Sequence, residues 1–405
     1  MRPRLPCLRV VAALSILAVV AVAGGCSAAG SAAAGGSHSG GASALSAQAA
    51  LGEKIFRDAS LSASGRLSCA SCHDAGHAFA TADGLATPLG GPALDAAGIR
   101  NAPSLRYGMQ TPAFHFAADG IPTGGFDRDG RADALAEQAR RPFLTPFEMA
   151  NASALEVADR LSRASYAADF RALYGRDIFS APEDALERAL LAIQRYEQED
   201  TADFAPYTSK YDAFLAGKLQ LTTQELTGLA LFNAQQKGNC AACHPSSRGT
   251  NGAAPLFTDL SYDNLGVPRN PGIPANANPA YFDLGLCGPA RTDLADRADL
   301  CGAFKVPTLR NVALTAPHFH NGRFQTLREV VSFYVRRDTH PKEWYPLGSD
   351  GLPRKFDDLP PQYVVNVNTT EVPYNRRPGD QPALDPAEID AVVAFLNSLT
   401  DGYHP

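Results

Sequence analysis

Apolar residues recur at helical spacing in four stretches of the chain, and they predict its main elements. In 182–196, Leu186, Ala189, Leu190 and Ile193 fall on one face. In 386–399, Ile389, Val392, Val393 and Leu396 do the same; Asp385 is placed to cap that helix, Pro386 takes its first position and Glu388 follows three residues on. Two shorter stretches, Leu51-Gly52-Glu53-Lys54-Ile55-Phe56 and Leu226-Thr227-Gly228-Leu229-Ala230-Leu231-Phe232, read as short helices, the second opened by a Thr222/Glu225 capping box. Period-two alternation is scarce, so few strands are expected. With 35 Gly and 30 Pro, the chain should be mainly α with long ordered loops.

The beginning of the chain has a separate logic. Arg2, Arg4 and Arg9 form a basic region ahead of an apolar run at 10–23, too short for a comfortable membrane span. That pattern predicts an export signal over 1–25. Cys26 follows Ala23-Gly24-Gly25 and sits as in a lipoprotein processing box, with 26–47 as a flexible Gly/Ser/Ala tether. Ordinary cleavage nearby is the alternative. Either outcome makes the protein periplasmic, tethered through a lipid on Cys26 or free. The length of 405 residues suggests two domains, and a net charge of −6 gives no electrostatic case for nucleic-acid binding.

Export makes the eight cysteines informative. Cys69-Ala70-Ser71-Cys72-His73 and Cys240-Ala241-Ala242-Cys243-His244 both match the C-x-x-C-H haem attachment pattern. Two thiols add across the two vinyl groups of a porphyrin, and the next residue's imidazole turns under the ring to bind iron. Each motif follows one of the short helices, which suggests an internal duplication. The fold class is therefore mainly α, with two cytochrome-c-like haem domains at 48–210 and 211–405. Cys287 and Cys301 have no His or third Cys close by, so a disulfide is favoured over a metal pair; it would contribute about 3 kcal/mol by loop closure.

On these motifs the chain resembles the bacterial di-haem cytochrome c peroxidases, including the MauG-like di-haem oxidases. The marker segments are Leu61-Ser62-Ala63-Ser64-Gly65, Arg100-Asn101-Ala102-Pro103-Ser104-Leu105, Asp129-Gly130-Arg131-Ala132, and the run from Lys305-Val306-Pro307-Thr308-Leu309 through Thr315-Ala316-Pro317. The resemblance implies a peroxidatic N-terminal haem on His73 and an electron-relaying C-terminal haem on His244. It also implies a distal pair, Glu148 shuttling a proton and Gln138 orienting peroxide. Tyr334 falls where the second haem's sixth ligand stands, a position held by Met in the peroxidases and by Tyr in the maturation oxidase. A calcium ion would be held by the Asn101 side chain and the Thr315 and Pro317 carbonyls, with His320 as a hydrogen-bonding neighbour and His318 at the surface.

Two positions depart from the family. Leu89 lies near the spacing of the distal His that blocks the first iron in the classical peroxidases, so that iron is expected to be open; His77 should pack locally, leaving His115 as the remote candidate. Arg128 stands where Trp commonly precedes Asp-Gly-Arg between the haems. The leading expectation is an enzyme that reduces hydrogen peroxide with electrons from a small cytochrome or copper protein. One alternative is peroxide-dependent oxidation of a specific protein or small substrate. A non-enzymatic electron carrier, with His115 or Met109 closing the first iron, is the rival from another class.

Overall fold

The computed structural model describes residues 44–404, so the expected leader, Cys26 and most of the tether lie outside the described residues. The elements follow the apolar pattern closely. Helix α1 (Ala47–Arg57) starts at Ser46, whose side chain accepts the Ala49 N–H, and it buries Leu51, Ile55 and Phe56. The first haem motif forms α2 (Cys69–Cys72), followed by α3 (Leu135–Leu144), α4 (Ala154–Arg163), α5 (Ala167–Tyr174), α6 (Pro182–Glu199) and α7 (Thr201–Phe204). Downstream lie α8 (Lys210–Leu215), α9 (Thr223–Asn233), α10 (Leu327–Arg336) and α11 (Pro386–Asn397). The predicted capping boxes at Thr222/Glu225 and Asp385/Glu388 are both formed.

The suspected duplication has a packing cause. In α1, a Cβ on Gly52 would lie 1.9 Å from the Ala192 carbonyl oxygen of α6; in α9, a Cβ on Gly228 would lie 1.9 Å from the Ala391 carbonyl oxygen of α11. Each helix that leads into a haem motif thus crosses a second helix so closely that only glycine fits.

Apolar burial is organised around two large clusters. One runs from Leu51 to Phe204 in sequence and the other from Tyr211 to Leu399. A third, with Phe324, Phe333, Tyr345, Phe356 and Leu359, absorbs much of the Pro- and Asp-rich stretch at 344–382. Among the described residues, regular strands are limited to three two-residue antiparallel ladders, registered at Leu89↔Ala97, His115↔Thr123 and Tyr262↔Lys305.

Backbone contacts tie the N-terminal and C-terminal segments within one unit. Thr123 bridges Ser261, Lys305 N–H donates to the Arg128 carbonyl at 2.9 Å, and Asn101 N–H donates to the His320 carbonyl at 2.8 Å. Buried Arg310 makes a two-pronged ion pair with Asp212, both contacts at 2.9 Å. Cys287 and Cys301 are disulfide-bonded.

Candidate functional site

Both C-x-x-C-H motifs build the same receptor from different loops. His73 N–H closes onto the Cys69 carbonyl and His244 N–H onto the Cys240 carbonyl, each at 2.9 Å. Each imidazole Nδ1 faces a backbone carbonyl, Phe79 O at 3.0 Å and Phe257 O at 2.7 Å. A ring nitrogen facing a carbonyl must carry the proton, so Nε2 keeps its lone pair for a metal. Burial lowers both imidazole pKa values, holding the rings neutral. Phe79 (φ 57°) and Phe257 (φ 55°) both adopt the left-handed conformation, rare for a bulky side chain, to present those carbonyls. The spacing from His differs, six residues against thirteen, so sequence comparison of the two halves does not reveal this shared device.

Cys69, Cys72, Cys240 and Cys243 are free thiols. Burial raises their pKa values to between about 11 and about 12. A cavity of about 320 Å³ is lined by Cys240, Cys243, His244 and Tyr334 and extends to Gln138, Asp127 and Arg128. Paired free thiols beside a neutral imidazole whose Nε2 keeps its lone pair are what a covalent haem requires, so the residues of both motifs fit the group, and at the second an apolar cavity adjoins them.

The far side of each receptor differs. Glu148 lies in the turn after α3, held by its N–H on the Thr145 carbonyl and its carbonyl on the Gly91 N–H. Its carboxyl faces the first motif closely enough to raise both Cys69 and Cys72. Burial, with the charge of Asp127 adding to it, pushes the Glu148 pKa up to about 7. Gln138 projects from α3 toward Asp127, with Nε2 3.5 Å from Oδ1. In the second receptor, Tyr334 of α10 is half-buried and faces Cys240 and Cys243; desolvation drives its phenol pKa far up. Its ring lies against Phe319 and Tyr374.

Between the receptors sits a dense charged layer. Arg100 bridges Asp129 at 2.7 Å and Asp283 at 2.6 Å, and Arg131 pairs with Asp127 at 3.0 Å. Arg128, in contrast, has no carboxylate partner among the described residues. Its guanidinium donates to Asn101 Oδ1 at 3.0 Å, and burial with repulsion from Arg100 lowers its pKa to about 10. Lys305 donates to the Gly125 carbonyl at 2.6 Å, and burial lowers its pKa to about 8. The side-chain oxygen expected to bind calcium is therefore engaged by a cation already. His320 is buried and stacked on Phe304 with ring centroids 3.6 Å apart. His318, expected at the surface, is instead buried and lines the cavity, because its N–H is drawn inward onto the Phe324 carbonyl at 2.7 Å. His77 packs locally on Asp74 at 2.8 Å, and His115 is exposed on the short strand His115–Phe116.

Sequence reasoning missed Tyr374 and the stretch around it. Val372, Pro373 and Tyr374 wall the second cavity, and Asn239, just before the second motif, donates to the Val372 carbonyl at 3.0 Å. No short motif marks that stretch. Glu197, buried in α6 with burial pushing its carboxyl to about 8, went unremarked because it reads as an ordinary helical position.

The comparisons with known proteins agree with this geometry. Residues 46–220 match the family model described as di-haem cytochrome c peroxidase. The chain is 36% identical over 366 residues to the methylamine utilization protein MauG of Paracoccus denitrificans, covering 88% of this chain and 89% of that one. It is 33% identical to the cytochrome c551 peroxidase of Nitrosomonas europaea, covering 70% of this chain and 71% of the relative. The crystal structure of the diheme peroxidase BthA from Burkholderia thailandensis matches with a TM-score of 0.80 and 42% identity, covering 88% of this chain and 86% of that one. This chain belongs to the di-haem cytochrome c peroxidase family, and its two motifs are the seats of two haems.

Proposed function

We propose that the protein reduces hydrogen peroxide at the N-terminal haem site, with electrons relayed through the C-terminal one. The observation that carries this reading is the asymmetry of the far sides: a half-buried, nearly unpaired carboxyl at the first and a half-buried tyrosine at the second. The haems supply the one-electron couples that the reaction draws on. Hydrogen peroxide takes up two electrons and two protons and leaves as two waters.

The proton work falls to Glu148. Its carboxylate accepts a proton from one peroxide oxygen and hands it to the other, which then departs as water. A pKa near 7 suits both halves of that exchange. Gln138 orients the peroxide through its amide, held toward Asp127. Tyr334, aimed at the second receptor, would ligate the iron of the second haem, where a phenolate would favour high oxidation states. His73 and His244 would hold the two haem irons, and His320 would support the pocket from behind.

Electrons come from a small cytochrome or copper protein in the periplasm, with a lipid on Cys26 holding the enzyme to a membrane. An interhaem calcium at Asn101, Thr315 and Pro317 is not part of this reading, because Arg128 already occupies the Asn101 oxygen. Tyr334, together with Leu89 where a blocking His would stand, favours a second reading: peroxide-dependent oxidation of a specific protein or small substrate.

Stopped-flow mixing of the air-oxidised holoprotein with peroxide tests the first step. Glu148→Gln should slow the spectral change by about 10²–10⁴-fold; an unchanged rate would reduce the protein to an electron carrier. Steady-state peroxide consumption with a reduced small cytochrome separates the other two readings, because negligible turnover despite a rapid first step rules out the peroxidase.

A further inference from the structure

We propose that the Arg128 guanidinium is a built-in replacement for an exchangeable cation between the two haem sites, so that this chain holds no calcium there. The position is defined by Asn101, a buried amide whose main chain is fixed by donation to the His320 carbonyl at 2.8 Å. Its Oδ1 receives the Arg128 Nη2 at 3.0 Å, while its own Nδ2 has no partner among the described residues. A calcium ion needs that oxygen and keeps N–H groups at a distance.

Charge in the layer points the same way. Arg100, Arg128, Arg131 and Lys305 share the layer with Asp127, Asp129 and Asp283, the carboxylates that pair there. Arg100 uses both Asp129 and Asp283, and Arg131 pairs with Asp127 and Asp129. Arg128 and Lys305 are thus the cations left without a carboxylate partner among the described residues, and Arg128 Nε is unpartnered there as well. A divalent ion added at Asn101 would be repelled by the fixed guanidinium and would find no spare carboxylate. The guanidinium can in turn serve anionic groups at the haem edges, since it opens onto the cavity that contains His244 and Tyr334. A tethered cation differs from a bound ion in one measurable respect: no chelator removes it.

The inference needs the haems to be present, which absorbance reads independently of peroxide chemistry. Holoprotein is dialysed against a calcium chelator, and its metal content and low-temperature electron paramagnetic resonance spectrum are compared with those of protein dialysed against calcium. Wild type should carry almost no calcium under either condition, with identical spectra. Arg128→Gln and Arg128→Ala, which free Asn101 Oδ1, should take up one calcium per two haems, and their spectra should respond to the chelator. Arg128→Lys keeps a cation and should stay calcium-free. Wild type that retains one calcium per two haems would overturn the proposal. So would a haem-replete Arg128→Gln or Arg128→Ala protein that binds none in excess calcium.

Discussion

The two haem receptors are alike on the side of the proximal histidine and unlike on the other. Both use a glycine-tight helix crossing, at Gly52 and Gly228, to deliver a C-x-x-C-H turn, and both fix the imidazole with a phenylalanine carbonyl in a left-handed conformation. Beyond the ring plane, the first receptor meets Glu148, a carboxyl that titrates, while the second meets Tyr334 packed among Phe319 and Tyr374. On the proposed reading this repeated frame carries two tasks, and the difference lies in a handful of side chains on α3, the turn after it, and α10. Attachment is a local property of five consecutive residues. Reactivity is set by what the rest of the chain brings to the opposite face.

The bluntest way to break the comparison is to remove one attachment. Cys72→Ala should halve the covalent haem content and abolish peroxide reactivity, whereas Cys243→Ala should halve the content yet leave the first site's initial reaction with peroxide; pyridine haemochrome absorbance and stopped-flow rates read the two. Glu148 sharpens the contrast through pH. Its folded pKa is raised to about 7, and the carboxylate is the form that accepts the peroxide proton, so the reaction rate should climb as pH rises through about 7 and then level off. Glu148→Gln should lose that inflection, and Tyr334→Phe should keep it.

A smaller effect separates architecture from chemistry. Arg310, which is 1% exposed, pairs with Asp212 and lies over the rings of Tyr107 and Tyr207, away from Glu148. Arg310→Met should cost about 3–5 kcal/mol in denaturant unfolding, since it leaves Asp212 buried without its cation. The first haem's peroxide rate should hardly move at temperatures where the variant stays folded. Opening the Cys287–Cys301 loop, 14 residues apart, should cost about 3 kcal/mol and leave both haem spectra intact.

How much of this was legible in the sequence depended on how local each cause was. The helices 182–196 and 386–399 could be read to within a few residues, because caps and apolar spacing are short-range signals; α6 runs on to Glu199 and α11 stops at Asn397. The haem motifs are contiguous and needed no fold. The buried state of His318 did not show, because Pro-His-Phe-His has no periodicity to separate inside from outside. Arg128 was legible as a departure from the family, yet its partner Asn101 lies 27 residues away, and no spacing rule connects them. The walling role of Tyr374 was hidden for the same reason: it depends on a loop folding back onto a helix about 40 residues earlier in the chain.

The most direct test of the central claim is low-temperature electron paramagnetic resonance on the air-oxidised holoprotein. The account predicts one high-spin ferric signal from an open first site beside one low-spin signal from a second site closed by Tyr334, with Tyr334→Phe altering the low-spin signal alone. Two low-spin signals at rest would contradict it, since both irons would then be blocked and the asymmetry between the two receptors would have no chemical meaning.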